Sequence, residues 1–301
     1  MKRALLPLVA AALTTQSGTV SAAAPPVFAS QFERSCVLDG APGSTEWRVS
    51  ADLREDLRPL RLRCILDAEN PGHPRVLRIE VRPGDAFDPN PGGNSTERVE
   101  IQVKRPLVAF DAPIWYTFRF RLAAPWTDRV NRTVIHQIKQ NIEAAAELDR
   151  GGTCPSANPF FKIEAGADAS QGGAKFVVKT RGTDDCRDGQ AAVPICGPWP
   201  LTLDRWHRVH VLLKPSQTRS LLRVWLDRRP CAPFTGRLGY LDHGKRDAAG
   251  RPVVDTQPRF GIYRDALPDL TQAIDFDDIA FWSADPSGEP EWQGIELPQL
   301  P

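Results

Sequence analysis

Three short segments carry residues whose types and spacing suit carboxylate binding and proton transfer. They are Arg98-Val99-Glu100-Ile101, His136-Gln137-Ile138-Lys139 and Arg259-Phe260-Gly261-Ile262-Tyr263. In each, polar and apolar residues alternate, which is the pattern of a strand with one polar and one buried face. The alternation puts Arg98, Glu100 and Gln102 on one side of the first strand. Gln137 and Lys139 share one side of the second, with His136 on the other. Arg259, Gly261 and Tyr263 share one side of the third. If the three strands lie side by side, their polar sides form one charged surface.

That surface suits an acidic, extended ligand. An arginine grips a carboxylate bidentately, and a glutamine amide can donate to the same group. Neutralising a uronate carboxylate makes the neighbouring carbon-bound proton more acidic, because charge that develops in the enolate-like transition state is stabilised. A tyrosine among cations has its ionised form favoured and can move that proton. The parts for a β-elimination are therefore present and require no metal. Arg98 and Gln137 neutralise charge, and Tyr263 or Lys139 moves the proton. Glu100, Arg259 and Gln102 orient these groups or hold substrate. The plainer reading of Arg98 and Glu100 is a cross-strand charge pair on a solvated face. His136 reads as a packed histidine, and His207 and His210 fall on opposite faces of one strand as structural residues.

The elements that must position these residues are strands almost throughout. Leu77, Ile79 and Val81 alternate with Arg78 and Glu80, and Tyr116, Phe118 and Phe120 alternate with Thr117 and Arg119. Further strands are expected at 134–140, 160–165, 175–180, 208–214, 221–227, 259–263 and 276–282, separated by Pro, Gly, Asp and Asn clusters. Residues 141–148 are the one helical candidate. Twenty-eight prolines fit a turn-rich chain. The expected fold is all-β, a two-sheet concanavalin-like β-jelly roll (a β-sandwich) with few short helices. Asp275, Asp277 and Asp278 read as a solvated acidic turn in preference to a structural calcium site.

Residues 1–24 read as a signal peptide. Lys2 and Arg3 precede a short apolar run, Leu5 to Leu13, and small residues at Ala22 and Ala24 offer cleavage sites. The expected layout is that signal, a jelly-roll domain over 25–285 and a C-terminal tail over 286–301. Secretion or a periplasmic location follows. No later stretch reaches a membrane span. With 38 basic and 37 acidic residues, no global field points to nucleic acid or a membrane, and a monomer is expected. Six cysteines in an exported chain favour disulfides, and six allow 15 pairings. The simplest set pairs Cys36 with Cys64, Cys154 with Cys186 and Cys196 with Cys231, the last two bonds being open to exchange.

The three segments resemble those of β-jelly-roll polysaccharide lyases, namely the heparin lyase I, glucuronan lyase and alginate lyase group. Those enzymes carry an R-x-E-L-like strand, a Q-[IVW]-H strand and a K-x-G-x-Y strand. Arg98-Val99-Glu100-Ile101 matches the first with Ile for Leu, and Arg259-Phe260-Gly261-Ile262-Tyr263 matches the last with Arg for Lys. Asp204-Arg205-Trp206-His207, Val224-Trp225-Leu226-Asp227 and Asp275 to Trp282 resemble flanking features of the heparin lyase I-like group. The resemblance runs from Glu97 to Trp282 and implies cleavage of an acidic polysaccharide to unsaturated uronate products. Where the family has a histidine on the glutamine strand, this chain has Lys139. Two accounts of the proton follow: Tyr263 serves as base and acid, or Lys139 is the base and Tyr263 the acid. The alternative function is a lectin-like module that binds acidic glycans on the same sheet. A glycoside hydrolase would need two carboxylates flanking the bond, and only Glu100 stands in the groove strands.

Overall fold

The computed structural model describes residues 24–30, 32, 47–49, 55–69, 74–85, 96–126, 132–141, 159–168, 173–183, 192–240, 255–267 and 269–300. The strands in chain order are β1 (Phe28–Ser30), β2 (Trp47–Val49), β3 (Leu62–Leu66), β4 (Arg75–Val81), β5 (Thr96–Val103), β6 (Ile114–Ala123), β7 (Thr133–Asn141), β8 (Phe161–Asp168) and β9 (Gly173–Thr180). They continue as β10 (Gly182–Thr183), β11 (Val193–Leu201), β12 (Trp206–Lys214), β13 (Leu221–Leu226), β14 (Arg229–Pro230), β15 (Gly239–Tyr240), β16 (Asp255–Asp265) and β17 (Gln272–Trp282). One helical turn, Arg58–Arg61, follows the 3-10 turn Glu55–Leu57, and a second 3-10 turn spans Pro290–Trp292. The helix expected at 141–148 lies outside the described residues apart from Asn141, which ends β7. The signal-peptide reading also lies almost wholly outside them.

Among the described residues the strands build a sandwich of two sheets, with β10 and β15 paired separately as a short parallel ladder. The front sheet has the order β11-β9-β8-β7-β16-β5-β2, and the back sheet β14-β13-β12-β6-β17-β4-β3, with β1 added against β17. Apolar residues from both sheets meet between them. Val99, Ile101, Phe260 and Ile262 come from the front, and Phe118, Phe120 and Phe276 from the back, all fully buried. Phe260 packs edge-on against Phe118 at 5.2 Å and Phe276 at 5.9 Å. Each such side chain contributes roughly 1.5–3 kcal/mol of burial free energy. This jelly roll is the fold expected from the alternation.

The alternation also implied wet polar faces, and here the structure differs. Arg78 and Arg121 clamp Asp275 on the back sheet, with distances of 2.7 and 3.0 Å, and Asp275 is 0% exposed. Asp277 is equally buried, and Asp278 pairs with Arg208 at 2.7 Å. These aspartates are therefore part of β17 and not a solvated turn. Neighbouring strands β4, β6 and β12 carry the arginines that pair with Asp275 and Asp278.

Residues 286–300 of the segment read from the sequence as a tail lie across the back sheet. Trp292 and Ile295 pack with Trp115, Leu212, Trp225 and Trp282 in a second apolar cluster. Cys196 bonds Cys231, joining β11 at one edge of the front sheet to the segment after β14 at the same edge of the back sheet. Cys64 is also disulfide-bonded, and no described cysteine is free.

Candidate active site

The three strands that carry the candidate residues are neighbours, with β16 between β5 and β7. Tyr263 lies opposite Arg98, Gly261 opposite Glu100, and Arg259 opposite both Gln102 and Gln137. The core takes the intervening residues Phe260 and Ile262, so the polar side chains share the outer face of the front sheet.

At the centre is Glu100, 0% exposed. Its Oε1 accepts a 2.6 Å hydrogen bond from Gln137 Nε2. Its Oε2 lies 3.7 Å from Arg98 Nε and 3.9 Å from Arg259 Nη1. Glu100 therefore holds two guanidinium groups and an amide in place from one buried position. Gly261 makes this reach possible. Its φ is +152°, and a Cβ there would come within 2.2 Å of Val99 O and 2.6 Å of Glu100 Cα. Without a side chain on the intervening strand, Glu100 and Gln137 meet across it.

Tyr263 sits between two cations. The Arg98 guanidinium lies 5.5 Å from the ring centroid and that of Arg132 lies 4.6 Å away. Arg132 is in turn held by Asp265 at 2.7 Å. Burial pulls the Arg98 guanidinium down from its ordinary value. Glu100 opposes this, Arg259 pushes the same way as burial, and Tyr263 opposes it. Gln102 is 3% exposed and its Nε2 has no hydrogen-bond partner, so a donor points from a buried position with nothing to receive it.

Lys139 lies on the same strand face as Gln137, but its position on β16 is opposite Gln257, six residues from Tyr263. The structure thus brings Arg98, Glu100, Gln102, Gln137, Arg259 and Tyr263 together and sets Lys139 further along the same sheet face. His136 is in the core, as its place opposite Gln137 implied. It stacks on Phe260 at 4.4 Å, donates from Nδ1 to Arg259 O at 2.8 Å and accepts from the Tyr116 hydroxyl at 2.9 Å. Burial lowers its pKa to about 3, and the hydrogen bond to Arg259 O only partly offsets this. His136 is neutral and committed to the fold.

Sequence reasoning missed one end of the surface. The row through Arg259 and Gln137 continues to Lys162 on β8 and Lys179 on β9, and on the other side through Gln102 to Arg48 on β2. Glu164 ties the two lysines together, at 2.6 Å from Lys162 Nζ and 2.5 Å from Lys179 Nζ. The alternation of Lys162 with Glu164 and the spacing of Lys179 carried a weak signal of this. Arg132 had none, because β7 is bulged between Val134 and His136 and simple alternation fails there.

Known proteins resemble the chain in sequence pattern and in shape. The family model described as polysaccharide lyase matches residues 56–287. No curated protein matches. Among solved structures, an endo-β-1,4-glucuronan lyase from the fungus Trichoderma reesei superposes with a TM-score of 0.57 at 13% identity, covering 85% of this chain and 94% of that one. The alginate lyase AlyC3 gives 0.45 at 10% identity over 69% of this chain and 74% of that one. The family 7 alginate lyase A1-II' gives 0.44 at 9% identity over 73% and 80%.

Proposed function

The chain belongs to the polysaccharide lyase family, and we propose that it cleaves an acidic, uronate-containing polysaccharide by β-elimination. The observation that carries this reading is the cluster of Arg98, Gln137, Arg259 and Tyr263 arranged around buried Glu100 on one sheet face. Arg98 and Gln137 receive the uronate carboxylate, and Arg259 and Gln102 hold the neighbouring sugar.

Tyr263 as phenolate takes the proton from the carbon bearing the carboxylate. The electron pair forms a double bond to the adjacent carbon, the bond from that carbon to the glycosidic oxygen breaks, and the phenol returns the proton to the leaving oxygen. The proton balance is closed, and both groups leave from the same side of the ring. Six residues along β16 separate Tyr263 from the position facing Lys139, which supports the single-tyrosine account and gives Lys139 the role of binding substrate charge. A glucuronan is the substrate favoured by the flanking motifs. All these residues come from one sheet, so one chain suffices. Export of this enzyme fits its disulfide-bonded cysteines.

The test is near-ultraviolet absorbance of the unsaturated product on incubation with glucuronan, alginate, heparin and hyaluronan. Tyr263→Phe is expected to abolish the rise while leaving binding largely intact. Lys139→Gln is expected to raise KM with kcat mostly kept, and loss of most of kcat would instead make Lys139 the base. A fully active Tyr263→Phe enzyme, or binding with no absorbance rise across the panel, would return the protein to the lectin reading.

A further inference from the structure

The back sheet holds a second polar cavity, on the face of the sandwich opposite the groove. Its volume is about 580 Å³. Arg119, Arg208 and His210 line it from β6 and β12, and Asp278 lines it from β17. Arg205 and Arg228 enter from the turns that flank β12 and follow β13, and Glu291 closes it from the C-terminal segment. That last wall is firmly placed. Trp292 is buried beside it, edge-on to His210 at 5.0 Å, and His210 Nε2 donates to Glu291 O at 2.8 Å.

Several groups in this cavity lack partners. Arg205 and Arg228 are exposed on its rim, with the charge of Arg205 felt by Asp227 and that of Arg228 felt by His210. Arg208 Nη1 and Glu291 Oε2 are buried with no hydrogen-bond partner. His210 is 2% exposed, and its Nδ1 is also without one. Because Nε2 carries the proton given to Glu291 O, Nδ1 of the neutral ring is an acceptor. Burial, the largest cause, lowers the pKa of this ring to about 4, which keeps it neutral at ordinary pH. The acids Asp278 and Asp227 are already committed, to Arg208 and to His207.

The cavity therefore combines cationic donors with unfilled acceptors. We propose that it is a second carbohydrate site that binds one uronic acid residue without cleaving it. The carboxylate meets Arg205, Arg228 and Arg208, and the hydroxyls donate to His210 Nδ1 and Glu291 Oε2. A bare inorganic anion would leave both acceptors empty and face Glu291. A neutral sugar would leave the arginines unmatched. No tyrosine lines the cavity. The site does not depend on the lyase chemistry of the front sheet.

The experiment is calorimetric titration of Arg98→Ala protein, in which the groove's carboxylate clamp is removed, with D-glucuronate, D-glucose, L-glutamate and sulfate. Saturable single-site binding of glucuronate is expected, with glucose, glutamate and sulfate at least tenfold weaker. Adding Arg205→Ala and Arg228→Ala, both at exposed positions, is expected to weaken glucuronate at least tenfold. Glu291→Gln is expected to weaken it less. In otherwise unaltered protein the Arg205→Ala/Arg228→Ala pair is expected to leave turnover of the polysaccharide unchanged. Absent glucuronate binding, equal glucose binding, preference for glutamate or sulfate, or indifference to the arginine changes would each overturn the proposal. A negative lyase assay would bear only on the front groove.

Discussion

At the scale of single residues, the front groove is organised by a carboxylate that need not touch substrate. Glu100 is buried and shared by Arg98, Arg259 and Gln137. Under the proposed mechanism, truncating Arg98 removes the donor to the substrate carboxylate, while Glu100 keeps Arg259 and Gln137. Arg98→Ala should therefore lower kcat by about 10²–10³-fold with the circular dichroism spectrum retained. Near-normal turnover in that variant would mean that the carboxylate clamp is elsewhere. Asp277 makes a different kind of prediction. No side chain bonds its oxygens, and burial, helped by the Asp278 charge and only partly offset by the Asp278 backbone N–H, raises its pKa to about 7. The unfolded carboxyl titrates near ~4. Between these values the folded state keeps a proton that the unfolded state releases, so stability falls as pH rises from about 4 to about 7 and is level above. Asp277→Asn removes that loss. It should raise stability at pH 8 by roughly 1–3 kcal/mol and much less at pH 4. Thermal unfolding at the two pH values checks this, and an equal gain at both would contradict it.

At the scale of elements, the site depends on three strands being adjacent and on irregularities within them. β16 separates β5 from β7, and Gly261 clears the space through which Glu100 reaches Gln137. The bulge in β7 brings Arg132 over Tyr263 while Ile135 and His136 both turn inward. The edges of the two sheets are joined by the Cys196–Cys231 bond, which closes a span of 35 residues. Chain-entropy reasoning assigns such a cross-link about 4 kcal/mol. Cys196→Ser/Cys231→Ser should lose stability of that order in chemical denaturation, with the groove chemistry retained at low temperature. An unchanged unfolding midpoint would show that the edges are held by packing alone.

For the whole molecule, charge is balanced overall and separated locally. The formal net charge is +1, yet Arg48, Arg259, Lys162 and Lys179 fall on one cross-strand row of the front sheet. Adjacent strands lie about 4.8 Å apart, close to the length of one sugar residue, so a chain running across the strands would meet this row repeatedly. These contacts are screened by salt. Raising ionic strength from about 0.05 to about 0.5 M should raise KM for the polysaccharide several-fold with kcat nearly unchanged. An insensitive KM would mean that substrate does not follow the row.

Period-two alternation was enough to establish the all-β class and the facing of Arg98, Glu100, Gln137, Arg259 and Tyr263, because side-chain direction in a strand is a local property. The Cys196–Cys231 pair was also among the sequence expectations. Adjacency was not local. Nothing in the order of β5, β7 and β16 along the chain required β16 to lie between the other two, and the register that separates Lys139 from Tyr263 followed only once it did. Burial was equally a matter of assembly. Asp275, Asp277 and Asp278 looked like a wet turn because the strands that bury them, and the arginines that pair with Asp275 and Asp278, lie far away in sequence. The C-terminal segment looked like a tail because the tryptophans it covers belong to β6, β13 and β17. Sequence alone determined what each strand could present. Only the tertiary structure decided which faces met, since pairing and burial join residues that the chain keeps apart.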